Sequence, residues 1–132
     1  MRTKQAGFTI IEAMITVAII GIIATIAWPM FEAQSTKNRR TDGITGLLAA
    51  SNEMEKCYSS QSSYTGCDAD GNSPQGFYTI TTDVPDAETY TLTATPLPEF
   101  PDPSCGVLTI NNLGIKTRTT TDDSPLRRCW AQ

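Results

Sequence analysis

Glu12 stands fifth in an apolar run that begins Phe8-Thr9-Ile10-Ile11-Glu12 and continues to Trp28. A carboxylate near the middle of a bilayer-length helix costs roughly 2.5 to 3.5 kcal/mol on insertion scales, so it needs compensation. Thr9, Glu12 and Thr16 share one stripe of a helix by their spacing. Such a seam is either a polar line tolerated in a greasy helix or a face turned to a partner that brings a counter-charge.

The other chemistry-bearing residues point away from catalysis. The chain has no histidine, so neither a Ser-His nor a Cys-His pair can form, and no glycine-rich phosphate loop is present. Asp122-Asp123 is an acidic pair in a polar turn, where solvation is the default. We expect no enzymatic activity, no cofactor and no metal. Asp68-Ala69-Asp70-Gly71-Asn72 imitates the start of a calcium-binding EF-hand loop, but Ser73 stands where the turn glycine belongs and Thr79 where the bidentate acid belongs. An exposed turn closed by cysteines fits better.

Cys57, Cys67, Cys105 and Cys129 contain no CxxC spacing, and without histidine they read as two structural disulfides rather than a zinc or redox site. Three pairings are open. Cys57 with Cys67 and Cys105 with Cys129 are favoured, because each closes a local loop between expected elements; each bridge would add on the order of 3 kcal/mol by the chain-entropy model.

Two basic groups stand out. Lys37-Asn38-Arg39-Arg40 reads as a solvated helix face partly neutralised by Glu32 and Asp42, with neighbouring subunits or lipid head groups as the alternative contact. Lys116, Arg118, Arg127 and Arg128 gather positive charge near the C-terminus of a chain whose formal net charge is −4. They balance Asp122, Asp123 and other acids, or they contact DNA; the acidic total argues against nonspecific nucleic-acid or anionic-lipid binding.

The elements that must hold these residues follow from pattern. A helix from Phe8 to Trp28 spans roughly 31 Å, about the thickness of a bilayer core. An ordinary secretory signal fits poorly, since the run is too long and Thr25-Ile26-Ala27 is a weak small-x-small site. Basic residues flank the run on both sides, so charge leaves its orientation open; disulfides would put the C-terminal part in an oxidising compartment and the leader in the cytoplasm. Pro29 predicts a kink or local loss of helix. Beyond it Ile44, Leu47, Leu48 and Met54 or Tyr58 recur at helical spacing, with Glu53, Glu55 and Lys56 outward, predicting helix to about Cys57, bent again near Gly43 and Gly46. Ser59 to Gly76 reads as loop. Strands are expected over Phe77–Thr82, Thr89–Thr95, Cys105–Ile110 and about Ile115–Thr119, with Tyr90, Leu92 and Ala94 on one face and four prolines breaking the chain between Pro96 and Pro103. A long helix followed by antiparallel strands is an α+β arrangement, and so small a head needs staples.

Lys4-Gln5-Ala6-Gly7 followed by Phe8-Thr9-Ile10-Ile11-Glu12, the apolar run, Gly21 and Pro29 resembles the class III leader and N-terminal helix of type IV pilins. The stretch from Cys105 through Asn111-Asn112-Leu113-Gly114 to Cys129-Trp130 resembles the ending of PilE-like pilins. The resemblance implies a type IV pilin fold: a long N-terminal helix packed on a small antiparallel sheet, with a disulfide-bounded C-terminal loop. It divides the chain into a cleaved leader (1–7), a membrane and filament-core helix (8–30) kinked at Gly21 and Pro29, and a head (31–132).

It also implies cleavage between Gly7 and Phe8 by a prepilin peptidase, N-methylation of Phe8, and pairing of Glu12 with the Phe8 amine of a neighbouring subunit, which removes the cost of two lone charges in low dielectric. The implied function is a structural subunit of a type IV pilus, most like a PilE-like minor pilin, supporting twitching motility, adhesion or DNA uptake. Its partners would be other pilins, the peptidase, the assembly machinery and, before assembly, the inner membrane with the C-terminus periplasmic. The alternatives are a type II secretion pseudopilin and a DNA-receptor pilin of a competence pilus.

Overall fold

The computed structural model describes residues 7–119 and 125–130. Helix α1 runs Ile10–Gln61, followed by strands β1 (Gly71–Asn72), β2 (Tyr78–Asp83), β3 (Thr91–Pro96), β4 (Leu108–Asn111), β5 (Lys116–Arg118) and a short helix α2 (Leu126–Cys129). The chain divides into two units after Ser35.

In the first unit the helix opens with a capping box. The Glu12 N–H donates to Thr9 Oγ1 at 3.3 Å and the Glu12 carboxylate accepts from the Thr9 N–H at 3.5 Å. Of the kink or local loss of helix expected at Pro29, the loss does not occur: α1 is continuous through it. Proline removes its own N–H bond and its ring presses on the Thr25 carbonyl, but helical residues on both sides carry the helix through. The helix is equally unbroken at Gly43 and Gly46. One helix among the described residues, this one, is long and apolar enough to cross a membrane.

In the second unit the five strands form one antiparallel meander in the order β1-β2-β3-β4-β5. The registers pair Ile80 with Ala94, Leu92 with Ile110 and Leu108 with Arg118. Period-two alternation then puts Tyr78, Ile80, Leu92, Ala94, Leu108 and Ile110 on one face, and all are buried. Tyr90, just before β3, joins them. The helix contributes Leu47, Ala50 and Met54 to the same core.

Two glycines let α1 come close to the sheet. A Cβ on Gly43 would lie 2.7 Å from the Tyr78 ring, and one on Gly46 would lie 3.1 Å from the Ser73 backbone. Leu48 is a correction: it is 46% exposed, because the buried stripe runs through Gly43, Leu47, Ala50 and Met54 and leaves Leu48 beside it. The helix also reaches four residues past Cys57. It stops where Ser62 turns to φ 54° and donates its N–H to the Tyr58 carbonyl at 2.7 Å, a left-handed C-terminal cap.

The expected strands lie where the pattern puts them, with ends shifted by up to three residues. The loop after α1 holds one strand the sequence did not show: two-residue β1 pairs Gly71 with Ile80 and Asn72 with Thr79. Such a strand is too short to carry an alternation signal.

Candidate functional site

The disulfides join Cys57 to Cys67 and Cys105 to Cys129, the two local pairings. The first ties the end of α1 to the loop beyond it; the second ties the segment before β4 to α2. The calcium-like stretch is occupied by its own backbone. Asp68 accepts the Asp70 N–H at 2.8 Å, and Asp70 accepts the Thr82 N–H at 2.5 Å. No group of three or more His, Cys, Asp or Glu side chains with metal-holding geometry occurs among the described residues.

The four C-terminal cations lie on two elements that meet through Trp130 and Cys129. Lys116 and Arg118 stand two apart on β5 and so share a face, while Arg127 and Arg128 are exposed on α2. Trp130 links the two elements: its indole is buried, its Nε1–H donates to the Thr117 carbonyl at 3.1 Å, and the Lys116 ammonium lies 5.4 Å from its ring centre. Arg118 donates to the Ser104 carbonyl at 3.1 Å, next to Cys105. Lys116 and Arg118 are half-buried on the face of β5 that pairs with Ile110 and Leu108, and Arg127 and Arg128 are exposed on the neighbouring α2. Asp122 and Asp123, the acids expected to balance them, lie outside the described residues.

The helix cluster around Lys37 is not a uniformly solvated face. Arg40 is buried and ion-paired to Asp102, with Nε 2.6 Å from Oδ2 and an NH2 contact of 2.8 Å to Oδ1. Asp42, expected to neutralise the cluster, turns the other way. It is buried, accepts from the Ser73 hydroxyl, and accepts the Gln75 N–H at 2.8 Å, pinning the turn before β2 to the helix. Arg39 lies 4.8 Å from the Phe100 ring centre and 5.7 Å from that of Phe77. Burial raises the Asp102 carboxyl, but the Arg40 hydrogen bonds and charge, with the Cys105 N–H and the Tyr78 hydroxyl, outweigh it and hold the group below its ordinary value. The signal that finds Arg40 is its phase: Gly43, Leu47, Ala50 and Met54 follow it at helical spacing, on the buried stripe.

At the other end, Gly7, Phe8 and Glu12 are exposed, as are Gly21 and Pro29 further along the helix. The Glu12 carboxylate rests on its own Thr9, and the Thr16 hydroxyl donates to the Glu12 carbonyl at 2.6 Å.

Comparison with known proteins covers residues 2–109 by family. Residues 2–28 match the prokaryotic N-terminal methylation motif, and residues 29–109, more than half of the chain, match the family described as type IV minor pilin ComP, DNA uptake sequence receptor. The chain belongs to the ComP family of type IV minor pilins. Among curated relatives, the type IV major fimbrial protein FimA of Dichelobacter nodosus is 36% identical over 101 residues, covering 70% of this chain and 61% of that protein. The type IV major alpha-pilin of Moraxella bovis is 50% identical over 46 residues, covering 35% of this chain and 28% of its own length. The chain thus spans between 28% and 61% of the length of these two relatives. A solved type IV pilin from Shewanella oneidensis superposes with a TM-score of 0.54 at 26% identity, covering 68% of this chain and 99% of that one. Long helix, antiparallel sheet and two disulfides form a type IV pilin fold.

Proposed function

We propose that this pilin is a subunit of a type IV pilus, stored in the inner membrane through residues 8–30 with its head in the periplasm and then packed by the same helix into a filament. The observation that carries the reading is the apolar surface from Phe8 to Phe31, exposed along its length in the single chain and headed by a methylation motif. Burial of that surface, first in lipid and then among other pilin helices, supplies the driving force for both states. A prepilin peptidase cuts between Gly7 and Phe8 and the Phe8 amine is methylated. Glu12 then exchanges its Thr9 contact for the Phe8 amine of the neighbouring subunit, and this pair fixes register. The assembly machinery of the inner membrane extracts the chain, and twitching motility or adhesion belongs to the whole filament. Mass spectrometry of sheared filaments tests this: a chain beginning at methylated Phe8 is expected, and Glu12→Gln is expected to abolish incorporation. A filament-borne chain that keeps residues 1–7, or normal incorporation of the glutamine variant, overturns it.

A second reading is favoured by a separate observation, the ComP family description together with the basic group on β5 and α2. In it Lys116, Arg118, Arg127 and Arg128 bind the phosphates of duplex DNA, so the subunit receives DNA for uptake. Salt-sensitive DNA binding by the full chain in detergent, abolished when all four are changed to alanine, is the expected result. No binding at low salt ends this reading.

A further inference from the structure

The basic group is held from inside the head. Arg40 reaches it by two routes. One is direct: an Arg40 guanidinium nitrogen lies 3.5 Å from the Arg128 carbonyl. The other runs through Asp102, whose Oδ1 accepts the backbone N–H groups of Ser104 at 3.2 Å and Cys105 at 3.1 Å. The Asp102 carbonyl accepts the Gly106 N–H at 2.8 Å. One carboxylate, held by the Arg40 fork, therefore shapes the turn that presents Cys105, and Cys105 is bonded to Cys129, the residue after Arg127 and Arg128.

A buried ion pair stabilises little, because desolvation offsets most of the attraction; what it supplies is a fixed geometry. The guanidinium fork suits that task, since its donors engage both carboxylate oxygens at once. We propose that Arg40 is a positioning residue for the DNA-binding face: through Asp102 and the Cys105–Cys129 bridge it holds α2 so that Arg127 and Arg128 stand with Lys116 and Arg118 as one phosphate-binding group. This inference rests on the DNA reading above. Arg40 itself is buried, so any effect it has on phosphate binding is exerted through those arginines.

The test uses the full chain in detergent micelles and duplex DNA titrated over a range of salt. Arg40→Met combined with Asp102→Asn removes the pair without stranding a buried charge. It is expected to weaken binding roughly tenfold at low salt and to reduce the slope of log affinity against log salt by about one to two, one for each phosphate no longer engaged. A variant that only lowered the folded fraction would keep the slope. In a chain already carrying Arg127→Ala and Arg128→Ala, the same pair of changes is expected to cost nothing further. Amide exchange over 126–130 is expected to speed up, and Arg40→Lys, which keeps the charge but loses the fork, is expected to fall between wild type and the double variant. Unchanged affinity and slope in a folded double variant overturns the role, and so does an equal loss in the background lacking both arginines. If the wild-type chain itself binds no DNA at low salt, the DNA reading fails and the positioning role falls with it. Exchange over 126–130 then shows separately whether Arg40 orders the segment.

Discussion

The two halves of α1 are one helix under two solvent regimes. From Ile10 to Phe31 its large side chains are exposed, among them Ile10, Ile20 and Phe31, and its polar groups are used up in local bonds such as Thr9 with Glu12 and Thr25 Oγ1 with the Ile22 carbonyl. From Arg40 to Met54 the same helix buries a narrow stripe of small and apolar residues against a sheet and carries an ion pair inward. The first half is rich in β-branched isoleucine and threonine, which favour helix weakly in water. In the proposed function, lipid or neighbouring helices would remove the competing water and leave internal backbone bonds as the solution. The second half carries its environment with it. The difference teaches that head stability and helix assembly are separable properties, so each can be perturbed with the other as a control.

The largest expected effect on this contrast is loss of the C-terminal bridge. Cys105→Ser with Cys129→Ser opens a loop with a sequence separation of 24, and about 3.5 kcal/mol of head stability should go with it by the chain-entropy model. The Cys57–Cys67 loop has a separation of only 10, so its removal should cost less, by about 0.5 to 1 kcal/mol. Denaturant unfolding followed by tyrosine fluorescence measures both, while micelle-bound helicity of residues 10–31 is expected to stay unchanged. Equal losses from the two bridges would show that native packing rather than loop closure sets their worth.

Alkaline pH should produce the next effect, again in the head alone, since all four tyrosines lie there. Tyr64 and Tyr90 donate to one Glu55 oxygen at 2.9 and 3.1 Å. Burial and then Glu55 push the Tyr64 phenol up to about 12. Burial also raises Tyr90, against the Ser51 bond, and raises Tyr78 beside Asp102. In the unfolded chain these phenols ionise near 10, so the unfolded state sheds protons first. The stability they contribute is whole below about pH 10 and falls as pH rises towards the folded values, by up to about 1.4 kcal/mol per pH unit for each buried phenol. Denaturant midpoints measured across that window should drop, and Tyr64→Phe should make the drop shallower. An unchanged slope in Tyr64→Phe would mean that this phenol ionises as it does in the unfolded chain.

Much of this was legible in the sequence, for physical reasons that differ by region. The apolar run declared its helix by length. Tyr90, Leu92 and Ala94 declared their face by alternation. The disulfides followed the short loops they close. What stayed hidden depends on partners far along the chain. Arg40 and Asp102 are 62 residues apart, and nothing local marks a charge as buried except its phase with Gly43 and Leu47. Asp42 looks like a neutralising neighbour of Arg39 and Arg40, yet it points at Ser73 and Gln75. Leu48 looked like core because leucine is apolar, whereas the true contact stripe is built around two glycines whose only sequence signature is the absence of a side chain. Of the candidate basic site, the four cations and the Cys105–Cys129 bridge were visible, but the Trp130 contact was set by tertiary structure.

The smallest expected effect on the head is the most informative about the other half of the helix. Ile20 is 60% exposed in the single chain, so Ile20→Ala should leave the unfolding free energy of the head within about 0.5 kcal/mol of wild type. The same change removes three carbons of apolar surface, worth about 2 kcal/mol where that surface is buried in lipid or against neighbouring helices. A chain with normal head stability but filaments that shear more easily, or lower incorporation, would therefore locate the helix's contribution in assembly. An equal drop in head stability would mean instead that the exposed half of α1 supports its own head, and the separation between the two halves would fail.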